Sequence, residues 1–261
     1  MAIPLSPWPR PSLRFLPVWR RNLRVWRKLM VPSIMGNFGE PLLYLLVFGY
    51  GFGRLVGDIG ELPYMVFLAS GIVCSSVMFA ASFEGLYSAF YRMHEQRTWS
   101  AMLNAPLNVD DIVTGEIAWA GTKGAFSGLA ILVVTAVLGL TGGWLALWVL
   151  LLIPLIGLCF GAMAVLVTAL SPTYDFFLYY FTLMLTPMLL ISGVFFPLVE
   201  LPAAVQVAAY LLPLAHAVEL VRPLMLGELP AAVWLHIPVV AGYGLIAASI
   251  AILVLRRRLA A

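Results

Sequence analysis

The chain has 261 residues, 62% of them hydrophobic and only 10% charged, with a formal net charge of +3. An average soluble domain carries about 25% charged residues, so a chain of this length could not clothe a water-facing surface with so few. Its elements must find their solvent in lipid, where apolar runs of about 20–25 residues without period-two alternation give helices and exclude a β-barrel.

Residues 1–12 are proline-rich and predict little order. The long charged region, the long apolar run behind it and the lack of a small-residue cleavage site argue against a cleavable signal peptide. Residues 13–30 form a basic amphipathic helix. Leu16, Trp19, Leu23, Trp26 and Met30 step by three and four along one face, and Arg14, Arg20, Arg21, Arg24, Arg27 and Lys28 occupy much of the rest. Such a helix lies in the membrane interface with its cations among anionic headgroups. A nucleic-acid patch is the rival reading, and the membrane span that follows directly argues against it.

Six spans then follow, at about 33–56, 63–90, 115–138, 145–170, 176–197 and 232–255. Gly142-Gly143 marks a tight turn, and Asp175 is a candidate helix cap in the loop 171–175. Residues 198–231 are apolar but broken by Pro202, Pro213, Glu219, Arg222 and Pro223, which predicts two short helices dipping into the outer leaflet rather than a straight span. Twelve of the fifteen Lys and Arg residues fall before the first span, after the second or after the sixth, whereas Arg54 and Arg222 fall on the other side. The cation bias places both termini in the cytoplasm.

Motifs for self-contained chemistry are missing. There is no GxxxxGK[ST] phosphate loop, and Gly121-Thr122-Lys123-Gly124 has the wrong spacing within a span. Gly49, Gly51 and Gly53 read as helix-packing positions. Cys74 and Cys159 sit singly in apolar runs, and His94, His216 and His236 form no metal-ligand pair at helical spacing. Asp110-Asp111 reads as a cap on the third span.

Two polar sets remain. In the loop 91–116, Trp99, Met102 and Leu103 share one face of a short helix behind Glu95, Gln96 and Arg97, and Pro106 stops it. That face suits either docking into a groove of a soluble partner or lying on its own protein. Glu40, Glu84 and Lys123 each fall about 9–12 Å deep in the cytoplasmic leaflet. Charges at that depth usually face inward and pair, so Lys123 is expected to bridge Glu84, Glu40 or both, tying the first three spans together; snorkelling would account for Lys123 alone. On the outer side, Glu219 and Arg222 stand one turn apart as a candidate pair.

Glu95-Gln96-Arg97-Thr98-Trp99, Leu103-Asn104-Ala105-Pro106-Leu107, Asp110-Asp111-Ile112 and Gly115-Glu116 make one block, and SGVFFPLVELP (192–202) with LLPLAHAVELVRPLMLG (211–227) makes another. In that order, over essentially the whole chain, they resemble an ABC-2-type exporter permease, and within that superfamily the NodJ family of nodulation-factor exporters. The resemblance implies a single all-α transmembrane domain over 1–261 in a bacterial inner membrane, assembled as a homodimer with two NodI-like ATPase subunits. ATP and magnesium would bind the partner, and this chain would hold no cofactor, no metal and no nucleic acid. Residues 95–107 would be the coupling helix, with Glu95, Arg97, Thr98, Trp99, Met102, Leu103, Pro106 and Leu107 toward the ATPase. Residues 198–227, with Pro197, Pro202, Pro213, His216, Glu219 and Arg222, would form a re-entrant hairpin. The implied cargo is an amphiphile such as a lipid-modified oligosaccharide. Tyr174, Phe177, Tyr180 and Phe181 stand where one could slide, though interfacial aromatic belts explain such clusters too. The competing functions are drug export within the same superfamily and, outside transport, a membrane-embedded lipid-modifying enzyme, against which the lack of clustered acids, histidines or nucleophiles counts.

Overall fold

A computed structural model of the chain describes residues 9, 12–28, 30–59 and 62–260. The side chains of Glu40 and Arg54, and most of the proline-rich start, lie outside the described residues. Helix α1 (Phe15–Arg27) is followed by α2 (Met30–Leu46), which loosens into a π-turn at Val47–Phe52 and ends with Gly53–Val56. A two-residue antiparallel pair, β1 (Asp58–Ile59) and β2 (Leu62–Pro63), reverses the chain. Then come α3 (Tyr64–His94), α4 (Thr98–Leu103), α5 (Val109–Val137), α6 (Trp144–Leu170) and α7 (Asp175–Ile191). The chain closes with α8 (Ala203–Tyr210), α9 (Pro213–Leu226) and α10 (Val233–Ala260).

Among the described residues, α3, α5, α6 and α10 are long and apolar enough to cross a membrane. Helices α8 and α9 meet at 89° and would make a fifth crossing only if counted together. The sequence predicts six. The difference lies in α2 and α7, whose apolar parts, Pro41–Gly51 and Asp175–Ile191, are shorter. In α2 the small and polar run Gly36, Asn37, Gly39, Glu40 delays the apolar stretch until Pro41.

Helix α5 packs against α3 and α6, and α10 runs along α6. Close approach there depends on small residues: a Cβ on Gly157 would stand 2.6 Å from the Gly121 carbonyl oxygen. Small residues let backbones meet where lipid supplies no hydrophobic drive between helices. Of the alternating glycines, Gly49 packs on Met65, whereas Gly51 faces open space. Gly143 adopts φ 126°, a left-handed turn that favours glycine, and the Gly142 N–H donates to the Met225 carbonyl (2.5 Å), seating the α5–α6 turn on the end of α9.

Opposite that turn the polar ends interlock. Asn108 and Asp111 form a reciprocal capping box at the start of α5, and Ser12 donates to Asp111 at 2.7 Å. Asp110 does not cap the helix: Arg256, near the end of α10, grips it through Nε (2.6 Å) and Nη2. Arg258 donates to the Ala169 and Ser171 carbonyls at the C-terminus of α6 (3.1 and 3.0 Å), satisfying acceptors that a helix end leaves open. Asp175 is the first residue of α7, behind Tyr174, and no side chain caps that helix.

Candidate functional site

Glu84, Ser88 and Arg92 recur every four residues and so share a face of α3, which continues to His94 rather than ending near residue 90. On α5, Glu116, Trp119 and Lys123 share a face by the same rule. The two faces meet at Arg92. Its Nη1 donates to Glu84 Oε1 (2.9 Å), its Nε to both oxygens of Glu116 (3.1 Å each) and its Nη2 to Glu116 Oε2 (2.5 Å). Two indoles complete the shell: Trp119 Nε1 donates to Glu84 (2.8 Å) and Trp99 Nε1 to Glu116 (3.2 Å). Glu84, Glu116 and both tryptophans are buried. One guanidinium thus serves two carboxylates in fork geometry, the strong form of a charged hydrogen bond.

A π-turn at Glu84–Ser88 places Glu84 in this face. Such turns leave carbonyls unpaired along the helix, and Thr168 of α6 donates to the Gly85 carbonyl at 2.8 Å. The π-turn and the close contact of Gly85 with Ala164 fix α3 against α6 directly beside the charges.

The expected bridge from Lys123 to Glu84 is corrected, while the alternative partner, Glu40, has its side chain outside the described residues. The Lys123 ammonium donates to the Ser33 hydroxyl and lies 5.4 Å from the Trp26 ring centre, and among the described residues it forms no ion pair with Glu84. Arg92, assigned from sequence to the loop, is the cation that binds Glu84. Glu116 entered the sequence reading only within the family-like block and was given no role. The available signal was the four-residue step from Glu84 through Ser88 to Arg92.

Trp99 is corrected as well. It is fully buried within the chain and bonded to Glu116, so it fastens α4 to α5 rather than facing outward. Met102, Leu103 and Leu107 are half-buried against the core, and Thr98 is half-buried. The exposed side of the loop is Glu95, Gln96, Arg97, Ser100, Ala101, Asn104, Ala105 and Pro106. Arg97 enters α4 with φ 48°, a left-handed conformation strained for a side chain of its size. Helix α1 crosses the same region on α5. Gly115 admits Val18, and Trp19 donates to Thr122 at 2.9 Å. The face of α1 centred on Val18 and Asn22 therefore lies on protein rather than on lipid.

The profile of the family described as "ABC-2 type transporter" matches residues 15–226, which takes in α1, the Arg92 cluster, α4 and the bent α8–α9 pair. The chain belongs to the ABC-2 type transporter family. The permease is 47% identical over 251 residues to "Nodulation protein J" of Rhizobium leguminosarum bv. viciae, covering 96% of this chain and 97% of the relative. It is 43% identical over 258 residues to "Nodulation protein J" of Rhizobium meliloti (strain 1021), covering 99% and 97%. "Inner membrane transport permease YadH" of Escherichia coli (strain K12) is 27% identical over 199 residues, 76% of each chain.

The permease's other expected residues separate. Phe177 and Tyr180 are buried in the core, with Phe177 edge-on to Tyr87 and Phe90 (ring centres 5.2 Å each), and Tyr174 packs on Phe90 at 4.7 Å. Burial and the nearby Glu95 raise the Tyr174 phenol above its usual range. Phe181 alone of the four lines a cavity of about 330 Å³, with Tyr44, Phe79, Phe195 and the hydroxyls of Ser75, Ser76 and Ser127. At the α8–α9 bend, Pro202 precedes α8 and Pro213 opens α9, and Pro197 precedes a short turn at Leu198–Glu200. Arg222 does not bond Glu219. It donates to Ser70 (3.0 Å) and the Gly193 carbonyl (2.5 Å), with its guanidinium carbon 3.7 Å from the Phe67 ring centre. His216 and His236, distant in sequence, meet with their Nδ1 atoms 2.7 Å apart.

Proposed function

We propose that this permease exports a lipo-oligosaccharide-like amphiphile outward across the bacterial inner membrane. It works as a homodimer driven by two copies of a separate NodI-like ATPase, which holds ATP and magnesium. The observation that carries this reading is the near full-length similarity to nodulation protein J at 47% identity. The relative named as an inner membrane transport permease favours the inner membrane.

In this reading α2 and α7 cross with α3, α5, α6 and α10, giving six spans, and the 89° break between α8 and α9 is the re-entrant hairpin. The termini and α4 face the cytoplasm. The clustering of Ser12, Arg14, Pro106, Asp111, Arg256 and Arg258 at one end of the bundle supports a common side for them. The exposed side of α4 then meets the ATPase. Trp99 and Glu116 carry its displacement to Arg92 and so to α3 and α5. The Phe181 cavity lies between α2, α3, α5 and α7 and fits the path of an apolar tail.

The test is co-purification of the tagged permease with the ATPase encoded beside it, followed by ATP hydrolysis with a panel of lipo-oligosaccharides. Stoichiometric capture and stimulation by that class support the proposal. Stimulation by unrelated drugs alone would move the cargo to the drug-export reading, and failure to capture any ATPase would defeat the whole assembly.

A further inference from the structure

A cavity of about 380 Å³ opens beside the Arg92 cluster, walled by α1, the start of α2, α3 and α5. Among the described residues its charges do not balance. Glu84 and Glu116 are both taken up by Arg92 and the two indoles. Arg21 and Lys123 also line it, and among the described residues neither has a carboxylate within ion-pair distance. Arg21 donates to the Asn22 Oδ1 (2.9 Å), and Lys123 donates to the Ser33 hydroxyl and lies over the Trp26 ring. Burial and then the repulsion of Arg92 hold the Arg21 guanidinium below its ordinary value. Among the described residues the lining carries three cations, Arg21, Arg92 and Lys123, against one carboxylate, Glu84.

Asn22 gives a second, independent observation. It is 3% exposed, lines the same cavity, and its amide nitrogen is buried with no acceptor among the described residues. A buried donor left unpaired is costly; the Asn22 amide nitrogen has almost no exposed surface of its own, so a small rotation of the side chain toward the cavity would let a ligand oxygen there supply what it lacks. The rim differs in kind. Val25, Phe83 and Tyr91 stand at the cavity with much of their apolar surface exposed, so the occupant has an apolar part beside its anion.

We infer that this cavity binds the anionic, phosphate-type headgroup of an amphiphile, held by Arg21, Asn22 and Lys123, with its chain running out past Val25 and Phe83. The site needs α1 to lie at a leaflet surface but does not need the export reading. A permease that failed to export lipo-oligosaccharides would still hold the headgroup. Arg24 and Arg27, on the same helix, are exposed and stand outside the cavity.

The experiment is native mass spectrometry of the full-length protein released from nanodiscs of phosphatidylcholine mixed with phosphatidylglycerol. Wild type should retain phosphatidylglycerol over phosphatidylcholine. Arg21→Gln with Lys123→Gln should lower that retention about tenfold, the scale of one lost charge-assisted contact. Arg24→Gln with Arg27→Gln removes the same charge from the surface and should leave retention unchanged. Should the double cavity variant not fold, Arg21→Gln alone carries the same readout. Sodium phosphate is the second arm. Failure to displace the lipid confirms an amphiphile site, and displacement supports a general anion site with a lipid as one occupant. Equal retention of the two lipids by wild type, or an equal loss in both double variants, would overturn the inference.

Discussion

The two ends of the bundle handle buried charge differently. At the Arg92 end one guanidinium is shared by two carboxylates, and two indole N–H groups fill the remaining acceptor sites. At the opposite end Arg222 has, among the described residues, no carboxylate within ion-pair distance. It rests on a hydroxyl, a carbonyl and an aromatic face. The first arrangement is a closed ionic network in which removing any member strands another. The second is a cation held by dipoles, and its removal strands only neutral groups. A rigid joint suits the first description and an element that must rearrange suits the second, since few partners resist its movement.

The largest effect should come from Arg92→Met. It leaves Glu84 and Glu116 buried against each other with only the indoles to hold them, and breaking a buried pair by losing one partner costs about 3–5 kcal/mol. Thermal unfolding in detergent should fall sharply, and Glu84→Gln with Glu116→Gln added to the variant should restore much of the loss. An Arg92→Met protein as stable as wild type would remove the distinction between the two ends.

Trp99→Phe should be intermediate. The variant keeps an aromatic ring but loses part of the indole volume, and Glu116 loses the 3.2 Å indole bond while keeping Arg92; a hydrogen bond to a charged group is worth about 1.5–3 kcal/mol. The expected readout is looser attachment of α4, measured as faster amide exchange over residues 98–104, while α8 and α9 exchange as before. Equal change at both ends would mean that Trp99 acts on the whole fold instead of the joint.

The all-helical bundle was legible in the sequence because hydropathy acts over whole spans, where single errors cancel, although among the described residues only four helices reach spanning length singly, against six expected. The site was less legible. Ending the second span near residue 90 placed Arg92 in water, although α3 keeps four more residues of helix, and the ion pair depends on those residues. Trp99 looked like an exposed anchor because a six-residue helix has two similar faces, and nothing local says which one meets Glu116. Arg222 and Glu219 sit one turn apart, yet Ser70 and Gly193, 152 and 29 residues away, compete for the guanidinium. His216 and His236 could be paired only by the packing of α9 on α10.

That histidine pair supplies a pH contrast between the ends. His216 Nε2 faces the Tyr210 carbonyl at 2.9 Å, which can only accept, so this nitrogen carries a proton. One further proton lies between the two Nδ1 atoms, 2.7 Å apart. If both imidazoles become cations, each Nδ1 carries a proton, the bond is lost and two like charges face each other. The α8–α9 bend should therefore loosen as pH falls through the second protonation of the pair. The Arg92 network contains no histidine and should not follow that change. Proteolysis near Leu211–Leu212 across a pH series should show the change, and His236→Phe should abolish the pH dependence. A pH-independent wild type would show that this end is held by packing alone.

The smallest effect belongs to Arg222→Met. The Met side chain follows the aliphatic part of Arg222 and ends short of the guanidinium, and what it leaves behind is the Phe67 face, the Gly193 carbonyl and the Ser70 hydroxyl, which also donates to the Phe67 carbonyl at 2.9 Å. Removing a lone buried cation also removes its desolvation cost, which offsets the lost bonds, so the loss should stay within about 1 kcal/mol, against about 3–5 for Arg92→Met. Glu219→Gln should change less still, because no ion pair joins it to Arg222. Stability and transport then need separate measurement. A well-folded Arg222→Met permease that fails to export would show that Arg222 is kept for movement of the loop after α7 against α3. Normal export together with normal stability would leave the outer arginine without a role in either. A loss as large as that of Arg92→Met would mean that the dipoles around Arg222 hold it as firmly as the carboxylates hold Arg92, and the two ends would no longer differ in kind.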